Sequence, residues 1–460
     1  MDYSGLKVLA TADVVVCGGG TAGAFAAMAA ADMMDVKDVL IIEQFGSLGG
    51  TATNGLVTPV MHTHIKSNPQ CSYLSEKLRE RLYAVGGCDA SGAKFDPLLL
   101  KMILEEMCDV DSKCRFMYHT FIADAVVSDG KVDSIVVCNK DGLGLVKGKI
   151  FIDCTGDADV CVRAGAGYTH GNPQTGANQP VSLRYVISGI DFEKFGSYLL
   201  EEVKRTGVDS AASYDGKDTI YAACCAAGKW TLDDVFFRAI EAGDLLELDK
   251  SYWQIFSIPG RPGCLAYNNP EFFDRYDAAD NDTLTSIQVQ GKSTILRQLK
   301  FYKKYFPGFE GAYLSEVASM VGVRESRNVE CEYVLTAQDL LCRSKFRDMF
   351  CQSNYPVDIH GKTLNFDISA FKPVDDGKPW YEIPFRSLVV KGFDNLLVAG
   401  RCLGAEFLAQ SSLRVQQSVR SSGEAAGIGA VLALNRGVPV REIDGAEVRE
   451  IMISKGAIFA

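Results

Sequence analysis

The segment ADVVVCGGGTAGAFAAMAAADMMDVKDVLIIE, residues 12–43, admits few folds. Ala12 to Cys17 is a short β-branched run suited to a buried parallel strand. Gly18, Gly20 and Gly23 follow in G-x-G-x-x-G spacing, and Thr21 to Met34 are strong helix formers. Asp38 to Glu43 is a second apolar run that ends in an acid. Strand, glycine turn, helix, strand and acid in this order form a dinucleotide-binding unit. Gly18 permits the tight turn, Gly20 lets the backbone approach a pyrophosphate, and Gly23 lets helix and strand pack closely. The helix start offers free N–H groups and a positive dipole end to phosphates. Glu43 stands where it accepts ribose hydroxyls and repels a 2′-phosphate. A hydropathy window alone would pass Val14 to Met34 as a membrane span, but four glycines near its start and Asp32 near its end oppose that.

Three later stretches imply a ligand contacted along its length. After Glu43 and Gln44, the loop QFGSLGGTATNGLVTPV carries Gly49, Gly50 and Thr51, small residues that let backbone run close to a large flat molecule. KIFIDCTGDADV is a buried strand followed by Cys154, Thr155, Gly156 and Asp157. FDNLLVAGRCLGAE is another, ending at Gly400 and Arg401. Ligands of open α/β sheets bind along the edge where such strands end. Beyond Arg401, Ser411 or Ser412 is a candidate N-cap for a long helix rich in small residues, with Arg414 and Val415 in its first turn.

With 460 residues, 47% of them hydrophobic, the chain has room for one large domain or two of ordinary size. The net charge of −11, with no lysine or arginine run, argues against nucleic acid as a partner. Fifteen cysteines without one CxxC pair argue against a disulfide framework, a four-cysteine zinc site and an iron–sulfur cluster. No metal site is expected. Reduced thiols and an N-terminus without a signal-peptide pattern imply a cytoplasmic protein that is not bound to a membrane. The partner is then a small-molecule substrate, and homo-oligomerisation stays open.

Five segments together resemble the FAD-dependent oxidoreductases whose nucleotide fold is of the glutathione-reductase and succinate-dehydrogenase kind, in particular a bacterial subfamily of mostly unassigned substrate. They are DVVVCGGGTAGAFAAMAAA, VLIIEQFGSLGGTATNGLV, FIDCTGDADVCVRAGAGY, GVRESRNVECEYVLTAQDL and NLLVAGRCLGAEFLAQSSLRVQQSVRSSGEAAG. The resemblance implies FAD at the glycine turn, with Gly18 to Gly23, including Thr21 and Ala22, on the pyrophosphate. It implies Glu43 on the adenosine ribose, Ile122 beside the adenine, Thr155 and Gly156 along the FAD, and Gly400 and Arg401 toward its ribityl and flavin end. Cys154 stands where the family commonly has alanine. No CxxxxC disulfide centre, no histidine in the N-terminal glycine loop and no second G-x-G-x-x-G are present. Non-covalent FAD and no dedicated NAD domain are therefore expected.

The expected architecture is α/β, with a discontinuous Rossmann-like FAD-binding domain over 1–175 and 385–435. A helical insertion at 66–110, a second mixed α+β substrate domain over 176–384 and a helical tail over 436–460 complete it. Candidate catalytic groups are His62 and His64, which follow the glycine loop, Arg261 as a holder of a substrate carboxylate, and Arg414 near the flavin. VGVRESRNVE is read as an internal ion-pair network. The function implied is hydride transfer between flavin N5 and a small organic substrate. A nucleotide-consuming biosynthetic enzyme resembling thiazole synthases, or a non-catalytic flavin subunit of an electron-transfer complex, are the alternatives.

Overall fold

Valines at 14–16 and the apolar run at 39–42 are buried on both faces, and so they pair inside a sheet covered by helices. The computed structural model describes residues 3–33, 38–61, 65, 71–208, 212–224, 230–273, 276–360 and 377–460. In it β1 (Val8–Cys17) pairs in parallel with β2 (Val39–Ile42), Val14 facing Val39 and Cys17 facing Ile42. The strand β3 (Arg115–Met117) adds to the far side of β2. Three further strands form a meander, β4 (Phe121–Ser128), β5 (Lys131–Asn139) and β6 (Gly142–Asp153). The long β6 changes partners along one edge: residues 142–147 pair antiparallel with β5, while residues 151–153 pair in parallel with the strand Leu396–Val398. Its other edge lies along β1. The parallel strands therefore end together, at Cys17, Ile42, Asp153 and Val398.

Helix α1 (Thr21–Ala31) is buried at ten of its eleven residues, which explains its membrane-like hydropathy. One side covers the sheet, and the other meets the long helix Gln416–Arg436. A Cβ at Gly423 would lie 2.2 Å from the Ala22 carbonyl oxygen, and one at Gly427 would lie 2.3 Å from that of Ala26. Glycines four residues apart share a helix face, so the two backbones touch along a full turn. The expected helices at 66–110 are Tyr73–Ala84 and Pro97–Glu106, and the tail carries a helix at Gly445–Ser454.

A second sheet is antiparallel, in the order Ala212–Tyr214, Ile220–Cys224, Trp253–Ser257, Leu265–Tyr267, Tyr185–Ser188, Tyr313–Val317. One face packs on the helix Asn281–Tyr305 through an aromatic core that includes Trp253, Phe236, Phe301 and Tyr302. Strand alternation turns Tyr185 and Trp253 into that core and their neighbours Arg184 and Gln254 toward a cavity on the opposite side. The chain returns to the first core earlier than the sequence boundary at 384 indicates: Val329, Leu335, Phe350 and Ile383 all pack with the parallel sheet. Among the described residues no helix is long and apolar enough to cross a membrane.

The backbone contact between the two helices leaves no space for a methyl group. Gly427→Ala is expected to destabilise the protein by about 1–3 kcal/mol, the usual cost of overpacking. A thermal midpoint equal to wild type would refute this packing.

Candidate functional site

Where the parallel strands end, a cavity of about 520 Å³ begins at the glycine turn and runs to the second sheet. Gly18 has φ +93°, and a Cβ there would lie 2.6 Å from the Cys154 carbonyl oxygen. Gly23 presses on the turn so closely that a Cβ would sit 1.8 Å from the Gly18 oxygen. Gly20 differs. The nearest atom to its Cβ position is 3.9 Å away, so the missing side chain leaves open floor where the residue lines the cavity. The second glycine loop is fastened to the first: the Gly49 amide donates to the Gly19 oxygen at 2.9 Å, and the Thr21 hydroxyl donates to the Gly49 oxygen at 3.1 Å. Gly18, Gly20, Thr21, Ala22, Gly50 and Thr51 face the cavity, whereas Gly23 and Gly49 support it from behind. The first turn of α1 has neither a capping side chain nor an acidic residue. Its amides are left for an anion.

Glu43 is buried at the cavity wall. Its Oε2 accepts from the Gly19 amide at 2.7 Å and its Oε1 from the Phe45 amide at 2.8 Å. Burial pushes its carboxyl above the ordinary range, while the Phe45 and Gly19 amides pull it back down. Gln44, Phe45, Thr120 and Ile122 continue this wall. On the opposite side Asp153 is fully buried, and its carboxylate accepts from the Thr155 amide and hydroxyl and the Cys161 amide. That loop brings Cys154, Thr155, Gly156 and Asp157 to the cavity. Asp157 pairs with Arg401 at 2.7 Å, and Arg401 also donates to the Val323 oxygen at 2.6 Å. Gly400 lies beside it.

The long helix begins differently from the sequence expectation. Ser411 and Ser412 are not its N-cap: they lie near the end of a short helix, Phe407–Leu413. Arg414 caps the C-terminus of that helix, Val415 is extended, and the long helix starts at Gln416. A cation is favourable at a helix C-terminus, so Arg414 needs no special partner on dipole grounds. It nevertheless lines the cavity, as do Val415 and Gln416. The Gln416 side-chain Nε2 donates to the carbonyls of Val57 at 2.8 Å and Pro59 at 3.2 Å.

Arg261 does not reach the cavity. Asp96 takes it in two bonds of 2.6 Å, and Glu316 takes a third nitrogen, so its donors are spent on holding the second sheet to the helical segment. His62 and His64 lie outside the described residues. Among those described, His360 is the histidine on the cavity wall. Its Nδ1 stands 3.0 Å from Glu271 and its Nε2 3.5 Å from Asp358. Burial lowers its pKa, with the Arg324 charge adding to the effect. Glu271 also pairs with Arg324, and Arg327 pairs with Asp159, so GVRESRNVE does carry ion pairs. Arg184, Tyr252, Gln254 and Asn268 close the chamber from the second sheet. Sequence reasoning missed all of these. One signal was present, a lone arginine inside the apolar strand run VSLRYVIS. Among the described residues no group of three or more His, Cys, Asp or Glu is placed to hold a metal.

Open floor at Gly20, bare helix starts at both ends and a buried acid between amides fit an FAD. Fold and site thus define a flavin-binding α/β protein. The chain belongs to the FAD dependent oxidoreductase family, whose pattern matches residues 13–452. FAD is the cofactor of this family. Among solved structures it is similar to p-nitrophenol 4-monooxygenase from Pseudomonas putida, with 9% identity over 98% of this chain and 87% of that one, at TM-score 0.49. L-proline dehydrogenase from P. horikoshii shows 10% identity over 96% and 98% of the two chains, at TM-score 0.42. The myxobacterial chondrochloren halogenase shows 10% identity over 96% and 78%, at TM-score 0.44. No curated protein sequence matches.

Glu43→Ala is expected to weaken FAD binding by about 1.5–3 kcal/mol, the scale of hydrogen bonds to a charged group. Fluorescence titration of the apoprotein with FAD measures it, and an unchanged dissociation constant would remove Glu43 from the ribose.

Proposed function

We propose that this chain transfers a hydride between the flavin N5 of bound FAD and a small organic substrate seated under the second sheet. The observation that carries this reading is one continuous cavity. It joins the glycine turn to a chamber walled by Arg184, Tyr252, Gln254, Arg324, His360 and Arg414. Bound FAD supplies two-electron chemistry at its ring, and the protein supplies position, charge and protons.

The amides at the start of α1 would hold the pyrophosphate over the open floor at Gly20, with Gly18 making the turn, Glu43 would hold the ribose, and Ile122 would lie on the adenine side. Thr155 and Gly156 would line the middle of the cofactor, and Gly400 with Arg401 its ribityl end. The Gln416 side chain is immobilised by two carbonyls, and the start of the long helix would face the ring. In the chamber, Glu271 fixes the His360 ring through Nδ1, and burial keeps that ring neutral. A neutral, oriented imidazole takes a proton from a substrate hydroxyl or returns one to it. Among the described residues His360 therefore carries the proton role that the sequence assigned to His62 or His64.

Purified protein should be yellow and release FAD on heat denaturation. Mixed without oxygen with a panel of small alcohols, amines and unsaturated acids, the oxidised flavin should bleach with one class of them. FAD bound with no bleaching by any, and no reoxidation of the reduced form by their products, would favour an electron-transfer subunit. Release of a modified nucleotide in place of FAD would favour a nucleotide-consuming enzyme.

Arg414, which lines the cavity, would also tune the potential of a bound flavin. A cation beside the ring would favour its reduced, more negative form over the oxidised one. A unit charge ~5 Å away at an effective dielectric of ~20 is worth roughly 3 kcal/mol, or ~70 mV for a two-electron couple. Arg401 is compensated by Asp157 at 2.7 Å, whereas the Asp358 carboxylate stands 3.4 Å from Arg414. Arg414→Met should therefore lower the midpoint potential by a few tens of millivolts, and Arg401→Met by less. Spectroelectrochemical titration decides this, and two unmoved potentials would place both arginines away from the ring.

A further inference from the structure

Arg184 is 8% exposed and lines the cavity. Its guanidinium makes no hydrogen bond and no ion pair among the described residues, and its Nε is buried without a partner. Every other charged group around the chamber is engaged. Arg324 donates to Glu271 and to the Pro180 oxygen at 2.6 Å. The second side of Glu271 takes His360. Arg414 donates to the Asp358 carbonyl at 3.0 Å, and its side chain lies 3.4 Å from the Asp358 carboxylate, which also accepts from the Tyr355 hydroxyl. Arg401, nearer the cofactor, has Asp157.

The charges do not balance. Three guanidiniums, of Arg184, Arg324 and Arg414, share the chamber with two carboxylates, of Glu271 and Asp358, and burial keeps His360 neutral. One positive charge is left over, and it belongs to the arginine without a partner. Burial and the nearby charge of Arg324 pull the Arg184 pKa down to about 9, which still leaves it cationic at neutral pH. A buried, unpaired guanidinium is costly unless a ligand completes it. Its backbone is no substitute, because the Arg184 carbonyl is already bonded to the Ala318 amide at 2.9 Å. The polar neighbours are already locked: Asn268 donates to Tyr252 at 3.0 Å and to Gln254 at 2.7 Å, and Tyr252 donates to Gln254 at 2.8 Å. They shape the wall and leave Arg184 to bind.

We propose that Arg184 binds a carboxylate of the substrate, so that this flavoenzyme acts on a small carboxylic acid. A single surplus charge matches a carboxylate monoanion and not a phosphate dianion, and the planar guanidinium fork suits two carboxylate oxygens. The inference rests on reading the chamber as the substrate side of the flavin. The sequence sought this role in Arg261, whose donors the structure gives to Asp96 and Glu316.

The test is a titration of the FAD-loaded protein with propionate, with its neutral counterpart propionamide, and with inorganic phosphate. Calorimetry and the flavin absorbance spectrum both report binding. Propionate should bind saturably, with propionamide and phosphate roughly tenfold or more weaker, the scale of a charge-assisted pair. Arg184→Met should weaken propionate by a similar factor and leave propionamide unchanged, and Arg184→Lys should recover part of the loss. Propionamide binding as well as propionate to the wild type overturns the proposal without any variant. So does phosphate binding more tightly than propionate, or an Arg184→Met protein of normal FAD content that retains propionate affinity. Propionate binding as stated, with no carboxylic acid able to bleach the flavin, sustains Arg184 and sinks the hydride reading. Bleaching by a neutral substrate, with no propionate binding, does the reverse.

Discussion

Everything at this site hangs on two helices that meet without side chains between them. Gly423 lies on Ala22 and Gly427 on Ala26, so the long helix and α1 run in the same direction with their backbones in contact. Parallel helices locked in register present their N-termini on the same side. Thr21 and Gln416 both line the cavity for that reason. A larger residue at either glycine would separate the helices and move one end of the cavity relative to the other.

The cavity uses different chemistry at its two ends. Near the glycine turn the donors are backbone amides, held by the turn and by the bond from Gly49 to Gly19. Fixed amides suit an anion without bringing buried side-chain charge into the parallel sheet. Under the second sheet the donors are guanidiniums, and each is costly to bury. Glu271 and Asp358 offset Arg324 and Arg414, and His360 sits between the two acids. The chamber is therefore an electrostatic assembly that lacks one anion. Backbone donors thus mark the glycine-turn end of the cavity, and side-chain charges mark the end under the second sheet.

Much of the cofactor half was legible in the residues. Gly18, Gly20 and Gly23 between two apolar strands, with Glu43 at the end of the second, specify a local unit whose geometry follows from spacing alone. The glycine-rich helix was legible for the same reason: local sequence dictates local backbone. The start of that helix was misread, because Ser411 and Ser412 look like caps while the real break comes at Arg414 and Val415. Nothing in a run of good helix formers marks where tertiary packing interrupts it.

The sequence by itself determined that a strand, glycine turn and helix in dinucleotide-binding order exist here, and that further apolar strands end in small residues. Only the tertiary structure decided which side chains meet at the far end of the cavity. Arg184, Arg324, Glu271, Asp358, His360 and Arg414 are scattered over 231 positions, so no local pattern announces their meeting. Arg261 and Arg184 are equally plausible anion holders as letters. One is saturated by Asp96 and Glu316 and the other is left bare, because the pairing of a buried charge depends on which segments fold against it.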